Sequence, residues 1–137
     1  MIGRVLIVDD EVDMLKLLRL ILEHAGLEVL ATCDGDQALR QAADHQPDLV
    51  ICDLVMPRPN GYEMLKALRG NVKTRHVPVL VLSARVHPKD TEHAFQLGAD
   101  SFVPKPFLRR HLLDEIQRCL AKRQRPAMIH QGAALPA

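Results

Sequence analysis

The chain has 137 residues, 47% of them hydrophobic and 26% charged, with a formal net charge of +1; this is the size of one globular domain and too neutral to suggest a strongly charged partner such as nucleic acid. No apolar stretch reaches the roughly 18 residues of a membrane span, and the N-terminus lacks the basic segment and cleavage pattern of a secretory signal, so a cytoplasmic protein is expected. Cys33, Cys52 and Cys119 show no C-x-x-C spacing, which argues against a disulfide framework or a structural zinc site and for reduced, mostly buried thiols.

Short apolar runs alternate with longer segments of helical period, the pattern of a parallel sheet covered by helices on both faces. The first strand is expected over Arg4 to Val8. A helix follows from about Val12 to Ala25, with Met14, Leu17, Leu18, Ile21 and Leu22 at helical spacing and Gly26 as its stop. Next come a strand over Glu28 to Ala31 and a helix from about Asp36 to Asp44, with Asp34 as its cap and Pro47 beyond its end. The third strand, Leu49 to Cys52, is wholly apolar and so central.

The third helix starts after Gly61, carries Met64, Leu65 and Leu68 inward, and stops near Gly70. The strand Val79 to Leu82 is again apolar and should be buried. The fourth helix, from about Lys89 to Leu97, is mostly polar, with Ala94, Phe95 and Leu97 its main apolar residues, so loose packing is expected before Gly98 ends it. A short strand, Ser101 to Val103, precedes a last helix from about Leu108 to Lys122 with Leu112, Leu113, Ile116, Cys119 and Leu120 inward. The stretch after Arg125 lacks a sustained period and reads as a tail, which divides the chain into a domain at 1–123 and a tail or linker remnant at 124–137.

In an open parallel sheet the loops at the carboxyl ends of the strands build the ligand site, and the informative polar residues fall there. Asp9 and Asp10 follow the first strand, Asp53 the third, Ser83 the fourth and Lys105 the fifth. Carboxylates gathered at one edge repel and raise one another's pKa, so a neutralising cation is expected among them. The histidines show no metal-ligand spacing and read as surface residues. Asp114 and Glu115 interrupt the basic residues of the last helix, which favours a solvated face over a nucleic-acid surface.

Through Asp9-Asp10, the segment Asp53-Leu54-Val55-Met56-Pro57-Arg58-Pro59-Asn60-Gly61, the pair Ser83-Ala84, and Lys105-Pro106-Phe107, the chain resembles the receiver domain of two-component response regulators over about residues 3–122. The resemblance implies an α/β, flavodoxin-like receiver fold: a doubly wound, five-stranded parallel sheet in the order 2-1-3-4-5. It implies that Asp53 accepts a phosphoryl group with Mg2+ held by Asp10, Asp53 and the Val55 backbone carbonyl, with Asp9 acting through water; hard oxygen donors suit this ion. Lys105 would pair with Asp53 and then with the phosphoryl oxygens, aimed by a cis bond to Pro106. Ser83 would be the switch hydroxyl and Phe102 the aromatic that moves with it, a plain core phenylalanine being the alternative. Val55 and Arg85 would tune the lifetime of the phosphorylated state.

The function implied is a signalling switch rather than an enzyme. A sensor histidine kinase or phosphotransfer protein supplies the phosphoryl group, and the face formed by helix four, strand five and helix five reports to a downstream protein, with no nucleic-acid or membrane contact from this domain. Homodimerisation is a further option on the partner side. Two rival functions remain: a receiver-like docking scaffold that is not phosphorylated, and a small Mg2+-dependent phosphohydrolase, whose D-x-D pattern after the first strand is missing here.

Overall fold

Five apolar runs form five parallel strands, and each crossover carries a helix. The computed structural model describes the backbone of residues 1–134 and the side chains of residues 1–122. The order is β1 (Arg4–Val8), α1 (Val12–His24), β2 (Glu28–Thr32), α2 (Gly35–His45), β3 (Leu49–Cys52), α3 (Gly61–Gly70), β4 (Val79–Ser83), α4 (Pro88–Gln96), β5 (Ser101–Pro104) and α5 (Arg109–Ala134). The sheet order is β2-β1-β3-β4-β5, the doubly wound arrangement anticipated from the sequence.

Strand alternation divides the apolar side chains between two layers. Val5, Ile7, Ile51, Leu80 and Leu82 face α1 and α5 and pack with Leu18, Leu22, Leu112 and Ile116. Leu6, Val8, Val50, Cys52 and Val81 face the other side and pack with Ala38, Leu65, Leu68 and Ala94. Every residue of β3 and β4 is buried, which is why the strands are apolar throughout apart from Ser83 at the end of β4.

Register then sets the position of the polar edge. Val8 pairs with Cys52, so Asp9 and Asp53 leave the sheet side by side. Ser83 pairs with Pro104, so Lys105 emerges one residue above the Ser83 level. The helix starts are locally specified. The Asp34 carboxylate accepts from the Asp36 N–H, and Asn60 and Glu63 form a reciprocal capping box that the sequence analysis overlooked although the N-x-x-E spacing is plain. The α1 stop at Gly26 has φ +93°, a left-handed conformation that favours glycine.

The element ends shift slightly from expectation. β2, β4 and β5 extend to Thr32, Ser83 and Pro104, while α4 starts at Pro88 and stops at Gln96. The larger difference is α5, which is helical to Ala134 and not only to Lys122. Its Ala, Met, Gln and Arg residues after Lys122 are good helix formers, and they outweigh the breaks anticipated at Pro126 and Gly132. The side chains of that stretch and residues 135–137, on which the tail expectation falls, lie outside the described residues. No helix among the described residues is long and apolar enough to cross a membrane.

The loop from β3 to α3 turns back so tightly that a Cβ on Gly61 would lie 2.2 Å from the Asp53 carbonyl oxygen and 2.6 Å from the Leu54 Cα. The obstacles are backbone atoms, which cannot swing aside. Gly61→Ala is therefore expected to destabilise the fold by ~1–3 kcal/mol in urea unfolding, as overpacking does, whereas Gly70→Ala, with nothing within 4 Å of its Cβ position, should be neutral or stabilising.

Candidate functional site

Two buried carboxylates, those of Asp9 and Asp53, meet one ammonium at the carboxyl edge of the sheet. Asp9 is 2% exposed and Asp53 6%. The Lys105 Nζ donates to Asp9 Oδ2 and to Asp53 Oδ2, both at 2.7 Å, and stands 3.6 Å from Glu11 Oε1. The remaining oxygens are also occupied, since Asp9 Oδ1 accepts from the Glu11 N–H at 2.9 Å and Asp53 Oδ1 from the Val55 N–H at 3.0 Å. Each carboxylate is thus fixed at both oxygens, one by a cation and one by its own loop.

The pKa shifts follow from this enclosure. Burial raises the Asp9 carboxyl above the ordinary range, against the opposing pull of Lys105 and of the Glu11 N–H. Burial works to lower the Lys105 pKa, but hydrogen bonds and charges from Asp53 and Asp9 outweigh it and hold the ammonium above its usual value. Just inside the sheet, burial pushes the Cys52 thiol up to about 12, with the Asp53 charge adding to the effect, so Cys52 is an inert core residue.

The arrangement brings together Asp9, Asp53 and Lys105 as the strand-end reading anticipated. Glu11, which the sequence did not single out, joins the acidic group. One carboxylate oxygen from each of Asp9, Glu11 and Asp53 lies within 4.8 Å of the others, whereas Asp10 is exposed and stands outside that group. The reason is local: Asp9 is drawn inward by Lys105 and by its turn bond to Glu11, which leaves the following side chain facing solvent. Three hard oxygen donors at that spacing, carrying more negative charge than one ammonium offsets, are the donor set that a divalent cation such as magnesium prefers. Nothing in a D-D-E run indicates that the exposed Glu11 side chain lies within reach of the Asp9 and Asp53 oxygens.

Ser83 is fully buried at the end of β4, its Oγ accepting from the Arg85 N–H at 3.1 Å, while its carbonyl accepts from the Lys105 N–H at 2.9 Å. Phe102 is half-buried on β5 and packs against the α2–α3 layer. Val55 is exposed beside the acidic cluster. The Lys105–Pro106 bond is cis, and so is Arg58–Pro59, which the sequence analysis did not anticipate. His24, His45, His76, His87, His93 and His111 are exposed, and the His130 side chain lies outside the described residues.

Comparison with known proteins agrees with this geometry. The model of the response regulator receiver domain matches residues 5–117. The transcriptional regulatory protein CpxR of Escherichia coli K12 is 39% identical over 120 residues, 88% of this chain and 50% of CpxR. This chain therefore spans about half the length of that curated relative. The chemotaxis protein CheY4 of Vibrio cholerae superposes with a TM-score of 0.82 at 32% identity, covering 87% of this chain and 99% of CheY4. The receiver domain of the sensor histidine kinase PA1611 from Pseudomonas aeruginosa, solved with a magnesium ion in its active-site cleft, gives a TM-score of 0.81 at 28% identity over 88% of this chain and 99% of its own.

The Lys105 side chain is 9% exposed, so removing its charge strands two buried carboxylates. Lys105→Met is expected to lose ~3–5 kcal/mol of stability in chelator, the usual cost of leaving a buried charge unpaired, and to gain more from added Mg2+ than the wild type does, both read by thermal unfolding. Because the folded-state pKa of Lys105 is raised, its contribution is complete below the ordinary lysine value and is lost only as pH rises through the folded one. The gap between wild type and variant should therefore be constant through neutral pH and narrow only in alkali.

Proposed function

The chain belongs to the response regulator receiver domain family, and we propose that it is the phosphorylation-controlled switch of a two-component phosphorelay with Asp53 as the phosphoryl acceptor. The observation that carries the proposal is the Asp53 carboxylate itself, which is buried and aligned by the Val55 N–H and the Lys105 ammonium at the mouth of the sheet. An Asp53 oxygen attacks phosphorus, a new O–P bond gives an acyl phosphate, and the bond from phosphorus to the donor's histidine nitrogen breaks with its electron pair leaving on the imidazole. Lys105 then exchanges a carboxylate partner for a phosphoryl oxygen.

Asp9, Glu11 and Asp53 would hold Mg2+, with Asp10 and the Val55 carbonyl as the further ligands we propose. When bound, the ion offsets negative charge on the transferring oxygens. In this reading the Ser83 hydroxyl turns to donate to a phosphoryl oxygen, Phe102 moves into the space vacated, and the α4-β5-α5 face carries the change to a downstream protein or a second copy. The donor is a sensor histidine kinase or phosphotransfer protein. The receiver occupies 1–123 and is cytoplasmic. Transcriptional control, which the name of CpxR assigns to a protein twice the matched length, would be exercised by a portion outside this domain.

The chain is a signalling protein, and self-phosphoryl transfer and autodephosphorylation are the only chemistry we assign to it. The docking-scaffold alternative finds no support in the site, where Asp53, Lys105 and the acidic pair are all retained. A phosphohydrolase would need a second acid two residues beyond the nucleophile, and Val55 stands there.

Incubation with acetyl phosphate and Mg2+ should add one phosphoryl group by intact mass, and chelator should prevent it. Asp53→Asn should remain folded and unlabelled. Equal labelling of wild type and Asp53→Asn would overturn the assignment, and Mg2+ binding without any adduct would favour the docking scaffold.

A further inference from the structure

The fourth helix is held by polar contacts more than by its core. Ala94 is its one buried residue, and Phe95 is 45% exposed. Against that weak apolar grip, two donors converge on a single carboxylate oxygen in its first turn. Tyr62 of α3 donates its hydroxyl to Asp90 Oδ1 at 3.0 Å, and the Arg85 Nε of the β4–α4 loop lies 3.2 Å from the same atom. The Tyr62 ring also packs on His93, one turn further along α4, with centroids 4.6 Å apart. Asp90 is mostly buried, whereas the Arg85 side chain is half-exposed, so the Tyr62 bond is the stronger of the two.

The Arg85 backbone connects this contact to the site, because its N–H rests on the Ser83 Oγ. We propose that Tyr62, Asp90 and Arg85 are positioning residues that latch the first turn of α4 in the resting state, and that the Ser83 hydroxyl keeps the latch closed through the Arg85 backbone. This rests on the receiver reading above only for the trigger. When Ser83 turns to a phosphoryl oxygen, the Arg85 N–H loses its acceptor, the loop shifts, and the guanidinium leaves Asp90. With one of its two donors gone, the Asp90 carboxylate also parts from Tyr62, and the helix gains freedom at its first turn.

Two further features agree with a latch. The Tyr62 hydroxyl is held in its donor form, since burial and then the Asp90 carboxylate raise its pKa. Among the described residues, the start of α4 is otherwise secured by its own chain, through Pro88 and the His87 ring accepting from the Lys89 N–H. Both features fix the conformation of the first turn without fixing its position against α3.

The test compares wild type with Tyr62→Phe, which keeps the ring against His93, and with Asp90→Asn and the double variant. In resting protein, amide hydrogen exchange over residues 88–96 should rise about tenfold or more in Tyr62→Phe, with exchange in β3 and β4 unchanged. Because a contact made only in the resting state opposes the active one, beryllofluoride with Mg2+ should bind about fivefold or more tightly to both single variants. The double variant should add little beyond Asp90→Asn, since both remove one interaction. Unchanged α4 exchange in Tyr62→Phe overturns the latch, and raised exchange with unaltered beryllofluoride affinity overturns its coupling to the site. Failure of the wild type to bind beryllofluoride at all would instead sink the receiver reading and the trigger with it, while the exchange result would still judge the latch.

Discussion

One ammonium between two buried carboxylates is the interaction on which the rest of this structure depends. Asp9 and Asp53 leave adjacent strands at the same level because Val8 and Cys52 are in register, and in that enclosure the Lys105 ammonium offsets the charge of both. With Glu11 beside them the cluster still carries excess negative charge, so the site is poised to accept a cation rather than content without one. The same imbalance explains why a phosphoryl group arriving at Asp53 would draw Lys105 with it: the ammonium has partners to exchange and no neutral alternative.

That charge arrangement needs a stiff support, and the sheet provides it. β3 and β4 are buried along their whole length and hold Asp53 and Ser83 at their ends, while Lys105 is tied to the Ser83 carbonyl through its own N–H. The compliant part lies beside it in α4, which has one buried residue. Stability distributed in this way, high in the central strands and low in one helix, would let the proposed charge event be read at a distance without disturbing the core.

How much of this was legible in the sequence depended on the range of the interaction. The strands were plain because unbroken runs such as Leu49-Val50-Ile51-Cys52 have no other explanation at that length, and the carboxyl-edge rule then gathered Asp9, Asp53, Ser83 and Lys105. That an oxygen of the exposed Glu11 side chain comes within reach of the Asp9 and Asp53 oxygens was not legible, because it turns on loop dihedrals just past the strand, where alternation no longer applies. Nor was the Tyr62–Asp90 bond, which joins residues 28 apart and depends on how α3 and α4 are set against each other. The length of α5 was misjudged because Pro126 and Gly132 were weighted above the helix-forming residues around them.

The opposite end of the sheet shows where motion cannot originate. There Asp100, just ahead of β5, accepts from the Val79 N–H and the Arg69 guanidinium through Oδ2 and from Lys122 through Oδ1. Arg69 in turn donates to the carbonyls of Gly98 and Val77, and Gly98 leaves no room for a side chain, since a Cβ there would lie 2.7 Å from the Arg69 Nε. α3, β4, β5 and α5 are therefore bound together at their lower ends by a many-bonded network. At the upper end the corresponding ties are one ammonium, one serine hydroxyl, one tyrosine hydroxyl and the half-exposed Arg85 guanidinium. In the proposed switch a charge added at Asp53 would act on the end with fewer ties, and the displacement would fan out from the anchored lower edge toward α4 and the β5–α5 loop rather than down into the sheet.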